Sequence, residues 1–277
     1  ITSEDMQRLK ALYGLDQPAY KRYMNWMGTL LSGDLGFSRT YKIPVSDILG
    51  PRILNTFYLS IFALVLSLLV AVPLGVYAAV HKGKLTDYLL NLFAFAGISI
   101  PSFWLALILI LMFAVKAGLL PAGGTYSVGQ DLEGFALVWD RIKYLILPVL
   151  SLSFMQIGTF VRYTRGAMLE ILNSDYIRTA RSKGLEEKKV LFKHAFRNAL
   201  IPLITVVAIS FSYIFSGAII TETVFAYQGV GKLVYDSIMS NDFNVAMVSF
   251  MISMIMVFTM SLLADIFYAV VDPRIKY

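Results

Sequence analysis

"DYIRTARSKGLEEKKVLFKHAFRNALIPLIT", residues 175–205, places the cations Arg178, Arg181, Lys183, Lys188, Lys189, Lys193 and Arg197 between two long apolar stretches, with one glycine in its middle and a proline near its end. Asn173-Ser174-Asp175 supplies side-chain acceptors for a helix start, and Tyr176 to Lys183 follows without a breaker. Gly184 then interrupts. Beyond it Leu185, Phe192, Phe196 and Ala199 share one helical face, while Lys189, Lys193 and Arg197 recur every four residues on another. Pro202 falls in the first turns of the next apolar run, where its missing N–H costs least. The expected structure is a helix, a glycine bend and an amphipathic helix lying against the inner face of a membrane.

The rest of the chain supplies that membrane. Of 277 residues, 57% are hydrophobic and only 15% charged, and the charges are bunched while the apolar residues come in blocks. A helix needs about 20 apolar residues to cross a bilayer. Five blocks qualify: Phe57 to Val80, Leu89 to Ala117, Tyr144 to Val161, Leu200 to Thr221 and Val245 to Val271. The basic loops His81-Lys82-Gly83-Lys84 and 175–199, with the terminal Arg274 and Lys276, fall on one side, which the positive-inside rule makes cytoplasmic. Residues 1–50 are then outside. An outside N-terminal segment needs a preceding span to carry it across, so one further N-terminal helix is expected, giving six with both ends cytoplasmic. A five-span chain with its N-terminus outside is the alternative.

The expected fold class is an all-α, polytopic membrane protein. Residues 1–52 form an extracytoplasmic interfacial segment, and 53–277 the transmembrane domain with its cytoplasmic loop at 162–199. Within 1–52, Ser3-Glu4-Asp5 can open a short helix through Met6, Leu9 and Tyr13, and Tyr20, Tyr23, Trp26 and Met27 suit an interfacial lid on the bundle. With no cysteine, disulfides, thiolate metal sites and a cysteine nucleophile are excluded. His81 and His194 stand beside lysines without a second ligand at metal spacing, so no metal site is expected.

Polar residues within the apolar blocks are few. Asn55, Thr56, Ser99, Ser102, Gln156, Thr159, Ser210 and Tyr213 are the candidates to line a translocation path. Most are neutral, which suits cargo with varied side chains. Asp265 lies near the cytoplasmic end of the last block, at the depth where Arg162 and Arg165 end theirs, and a structural ion pair is expected there. Glu222, at an outer end, either meets an external protein or caps a loop. Pro73, Pro101, Pro148 and Pro202 interrupt four of the five blocks. Ala208, Ser212 and Ser216, and likewise Ser249 and Ser253, repeat at the spacing that lets membrane helices pack closely.

Order within the basic loop adds what composition cannot. Ala180, Gly184 and Ile201-Pro202 match the pattern Glu-Ala-Ala, three residues, Gly, then hydrophobic-Pro, and "DYIRTARSKG" is similar to its variant in peptide permeases. "YGLDQP" at 13–18, "GDLGFS" at 33–38, "SIPSFW" at 99–104, "RYTRGAMLE" at 162–170, "GAIITETVFAYQGVGKL" at 217–233 and "YAVVDPRIKY" at 268–277 extend the likeness over nearly the whole chain. The chain thus resembles binding-protein-dependent ABC transporter permeases, specifically the B-type subunit of the dipeptide and oligopeptide branch. Its "YQGVG" departs from the more frequent Trp-Pro before Gly-Leu-Gly.

The resemblance implies an ABC importer type I permease fold in a bacterial or archaeal cell membrane. The implied partners are a second homologous permease subunit, two cytoplasmic ABC ATPases, an extracytoplasmic peptide-binding protein, membrane lipid and a peptide substrate, with no nucleic acid. It implies no cofactor on this chain, ATP and Mg being used by the ATPases. It also implies a coupling helix whose contacts come from Asp175, Tyr176, Arg178, Thr179, Ala180, Arg181, Lys183, Gly184 and Leu185.

The sequence holds no phosphate loop to set against this: "AYQGVGKL" has Ala226 for the first glycine and Leu233 for the magnesium hydroxyl. Rival readings are a permease for nickel complexes or oligosaccharides, an ion-driven secondary transporter, which would usually show acids or broken helices at mid-membrane whereas the few charges here cluster near the ends, and a membrane enzyme, for which no catalytic set is visible.

Overall fold

The structure, a computed structural model, describes residues 16–271, apart from the side chains of residue 208 and of residues 211–217 and 267–271. The helix expected over Ser3 to Tyr13, the Ala208, Ser212 and Ser216 repeat, the Tyr213 side chain, Arg274 and Lys276 lie outside the described residues.

Helix α1, Ala19–Leu31, is followed by α2, Val45–Val80, and by α3, Leu85–Ser99. Next come α4, Ser102–Leu109, continued by a π-helical stretch Ile110–Lys116, and α5, Gly134–Leu172. On the inner side stand α6, Asp175–Ser182, and α7, Glu187–Lys189, which runs through a π-helical stretch Val190–Phe196 into α8, Arg197–Gly217. The short α9, Ile219–Val224, and α10, Val230–Met239, precede α11, Phe243–Val271. Among the described residues, Val45–Val80, Gly134–Leu172, Glu187–Val207 and Phe243–Ile266 are each long and apolar enough to cross a bilayer, and the bent pair Leu85–Ser99 and Ser102–Lys116 brings the number to five where it counts as one span.

The expected block Leu89 to Ala117 is therefore not one straight helix. Its halves meet at 99°. Pro101 disfavours the α conformation in the residue before it, and Ile100 is extended, with φ −78° and ψ 124°. The other spans outrun their apolar blocks. α2 is 36 residues and α5 is 39, longer than the roughly 20 a bilayer requires, so both project beyond it. The 1–52 segment accordingly runs into the first turns of α2. Pro73 and Pro148 lie inside α2 and α5 without ending them.

α5 is the central post. Leu59, Ala63 and Ala71 of α2 pack against Phe160, Val161 and Leu152 of α5, all buried. On its next face α5 meets α3 backbone to backbone. A Cβ added at Gly158 would collide with the Ala94 carbonyl, and one added at Gly97 would lie 2.9 Å from the Phe154 carbonyl. In lipid, where apolar surface gains nothing by leaving its neighbours, such close approach is what holds helices together. Large apolar side chains such as Leu69 and Phe258 instead point outward, each 68% exposed. At the other end of the bundle Trp26 and Leu30 of α1 pack beside Val45, Ile48 and Leu233, while Tyr20 and Tyr23 stay exposed.

One ion pair locks the inner end. Arg165 of α5 donates through Nε and Nη2 to the two oxygens of Asp87 in α3, at 2.7 and 2.8 Å. Asp87 is buried and also accepts from Gly83 N at 3.0 Å and Asn91 Nδ2 at 2.8 Å. This corrects the expected pairing with Asp265, which is exposed and bonds neither Arg162 nor Arg165 among the described residues. Asp87 stands on the face of α3 that α5 covers. Replacing Asp87 with Ala leaves Arg165 without its counter-charge and should cost about 3 kcal/mol. Thermal unfolding in detergent should show a clear drop, and an unchanged midpoint would show that the pair holds nothing.

Candidate functional site

The inner elbow is built by α6. Ser174 starts it with extended backbone, but the expected capping bond is not made. Instead the Ser174 hydroxyl donates to Ile171 O at 2.6 Å and Asn173 Nδ2 to Leu169 O at 2.8 Å, closing the end of α5. Ile177 and Ala180 point into the subunit, against Met168, Ala79, Val190 and Ala195. Ala180 is therefore an inward anchor and does not offer a close approach to another protein. Ile177, fully buried beside it, is the anchor that the sequence reading passed over.

Asp175, Tyr176, Arg178, Thr179, Arg181, Lys183, Gly184 and Leu185 are all exposed. The helix closes in a Schellman motif: Gly184 N donates to Arg181 O at 2.9 Å and Leu185 N to Ala180 O at 3.4 Å, with Gly184 at φ +74°. A Cβ there would meet no atom within 4 Å, so it is the left-handed backbone, not crowding, that calls for glycine. Across the bend Arg181 grips Glu187 with Nη2 at 2.6 Å and Nε at 3.1 Å. Arg181 thus braces the elbow instead of standing free. The outcome is a short knob, apolar inside and mainly basic outside, clamped at its corner.

On the outer side Glu222 is fully buried. It accepts from Thr56 Oγ1 at 2.7 Å and from Lys232 N at 2.8 Å, while Thr56 Oγ1 accepts from Val230 N at 2.8 Å. Of its two expected roles Glu222 takes the cap, satisfying the first N–H groups of α10. Asn55 Nδ2 donates to Gln228 O at 2.8 Å. Asn55 and Thr56 are therefore spent on holding the 225–230 loop. Gln156 is buried and accepts from Ser67 Oγ at 3.1 Å. Ser102 is half-buried and its carbonyl accepts from Ser151 at 3.3 Å; Ser99 is exposed and Ser210 half-buried. Thr159 lines a cleft of about 630 Å³ between α5 and α8, shared with Arg162, Tyr163 and Glu170.

The fold built around the long α5 post has a counterpart among known proteins. Residues 71–277 match the family described as "Binding-protein-dependent transport system inner membrane component". The chain belongs to this family. Among its relatives, the oligopeptide transport system permease protein AppB of Bacillus subtilis is 40% identical over all of this chain and 87% of that protein. The dipeptide transport system permease protein DppB of Escherichia coli K12 is 35% identical, again over all of this chain and 87% of its own. The fold agrees with a permease from the inward-facing MetNI methionine ABC transporter, TM-score 0.65 at 16% identity over 81% of this chain and 96% of that one.

This inner membrane component also carries an outer strap that its sequence did not announce. Asp242, between α10 and α11, is buried; its Oδ2 accepts from Ser38 Oγ at 2.6 Å and Thr40 N at 3.0 Å, tying residues 38–40 to the start of α11. Burial works against its charge, but the bonds from Ser38, Thr40 and Val245 prevail and hold the carboxyl below the usual carboxylate range. A lowered value means that the strap's stabilisation is complete above the unfolded pKa of about 3.9 and fades as the pH falls through the lower folded value. Amide exchange at Thr40 and Tyr41 should therefore be slow at pH 5 and accelerate below about pH 4 beyond its intrinsic pH dependence. Asp242→Asn should remove that extra acceleration. Identical profiles for the two proteins would dismiss the strap.

Proposed function

We propose that this inner membrane component is the peptide-permease subunit of an ATP-driven importer, working beside a second permease subunit, two cytoplasmic ATPases that use ATP and Mg, and an external peptide-binding protein. The substrate class follows from the relatives, whose names specify oligopeptides and dipeptides. The chain hydrolyses nothing itself. The observation that carries the reading is the elbow: α6 is anchored inward by Ile177 and Ala180 while Tyr176, Arg178 and Lys183 face outward. A helix held on one side by its own subunit and presenting cations on the other is suited to an acid-lined cleft on a cytoplasmic ATPase.

In this reading the external protein delivers a peptide to the outer mouth. Closure of the ATP-bound ATPases swings the elbow, which turns α5 and α8 because α6 packs on both through Met168, Val190 and Ala199. Hydrolysis and release reset it. Push and response run through packed side chains, so the movement at the ATPase need be no larger than the shift it produces in the bundle.

Gly184 is the sensitive point. Forcing Val into its left-handed backbone costs roughly 1–2 kcal/mol, enough to shift the elbow's conformational balance about tenfold. In the reconstituted complex Gly184→Val should reach the membrane and still support ATP hydrolysis, while peptide accumulated per ATP falls about tenfold. Normal uptake by this variant would sink the docking assignment.

A further inference from the structure

Arg162 has no role in the elbow, the Asp87 lock or the outer strap. It lies one turn deeper in the membrane than Arg165, on the same post. Its guanidinium sits 5.1 Å from the centre of the Phe95 ring, and Phe95 is eight residues, about 12 Å, along α3 from Asp87. Among the described residues it makes no ion pair and no hydrogen bond. A cation at such depth is costly unless water or a charged visitor reaches it. A guanidinium held over a ring and making no hydrogen bond among the described residues keeps its N–H groups for an acceptor, and its planar fork takes a carboxylate with two parallel bonds.

Along α5 from Arg162 come Gly166 and then Glu170, at successive spacings of four residues on one side of the helix. All three line the cleft of about 630 Å³, facing Pro202 and Val206 of α8. A Cβ on Gly166 would meet nothing within 4 Å, so bare backbone floors the cleft between a cation and an acid. Arg162 and Glu170 are eight residues apart, a rise of about 12 Å, the reach of three or four extended residues.

We propose that this stripe is a binding station for a short zwitterionic peptide, with the C-terminal carboxylate on Arg162, the backbone over Gly166 and the N-terminal ammonium on Glu170. The inference rests on the peptide-permease reading above and adds to it which atoms of the cargo are read within the membrane. The charge separation selects the occupant: a phospholipid headgroup carries its charges within a few bonds of each other and cannot satisfy both ends of the stripe. Because Glu170 lies on the cytoplasmic side of Arg162, the peptide leaves with its amino end leading.

The test compares a labelled tripeptide with its C-terminal amide and its N-acetyl derivative, in vesicles holding the complete transporter and one external binding protein. Wild type should prefer the free peptide over both blocked forms. Arg162→Gln should cut uptake of the free peptide about tenfold yet leave the amide unchanged, so that the preference for a free carboxylate vanishes. Arg162→Lys should restore part of it. Glu170→Gln should remove only the preference against the N-acetyl form, and Gly166→Leu should block all three while ATP hydrolysis stimulated by the binding protein continues.

If Arg162→Gln lowered acid and amide equally, or if its effect followed the anionic lipid content of the vesicles, Arg162 would serve the second permease subunit or lipid phosphate, and the station would be refuted. Equal wild-type uptake of free and blocked peptides would refute it as well, with the transport reading intact. No peptide uptake by wild type would refute that reading first and the station with it.

Discussion

The bundle depends on how near α3 can come to α5. In water a helix pair gains by hiding apolar surface, but in lipid the tails are as apolar as leucine and the gain must come from contact itself. Gly158 beneath the Ala94 carbonyl and Gly97 beneath the Phe154 carbonyl bring the two backbones together, and the Asp87–Arg165 pair fixes their inner ends. With α3 fixed on α5, the chain bends by 99° before α4, and the post keeps a second face for α2 and a third for α8. The elbow, the cleft and the outer cap are all placed by that post.

The spans were legible because a bilayer demands long apolar runs, which few other structures need. The elbow was legible in part: a glycine after a helix marked the corner correctly, but the amphipathic helix expected to lie beyond it on the membrane face is the first part of a run that continues from Glu187 through Val190–Phe196 into α8. The true lengths of α2 and α5 were not, since residues such as Asp140 and Arg141 or Glu170 read as loop by polarity although they continue a helix beyond the membrane. The bend after α3 was signalled by Pro101, but a proline alone distinguishes a kink from a reversal of direction no better than it does in α2, where Pro73 is absorbed.

Contacts distant in sequence were the least legible. Thr56 meets Glu222 across 166 residues and Ser38 meets Asp242 across 204. Polar residues in apolar runs could be recognised as important, but whether they face a path or another helix depends on rotation about the helix axis, which one sequence does not encode. Asn55, Thr56 and Gln156 therefore read as path residues, and each makes a hydrogen bond within the subunit. Arg165 was given Asp265 on grounds of depth when its partner was Asp87. Arg162 and Glu170 carried a usable signal, opposite charges two turns apart with a glycine between them, which only the cleft made meaningful.

The brace across the elbow has one further consequence. Arg181 and Glu187 are open to water, with side chains 45% and 66% exposed, and charges so placed feel dissolved ions: the screening length falls from about 10 Å at 0.1 M salt to about 3 Å at 1 M. The stiffness of the corner is thus partly a property of the surrounding solution. In concentrated brine the grip of Arg181 on Glu187 slackens, and under the proposed reading the corner then passes on less of each push.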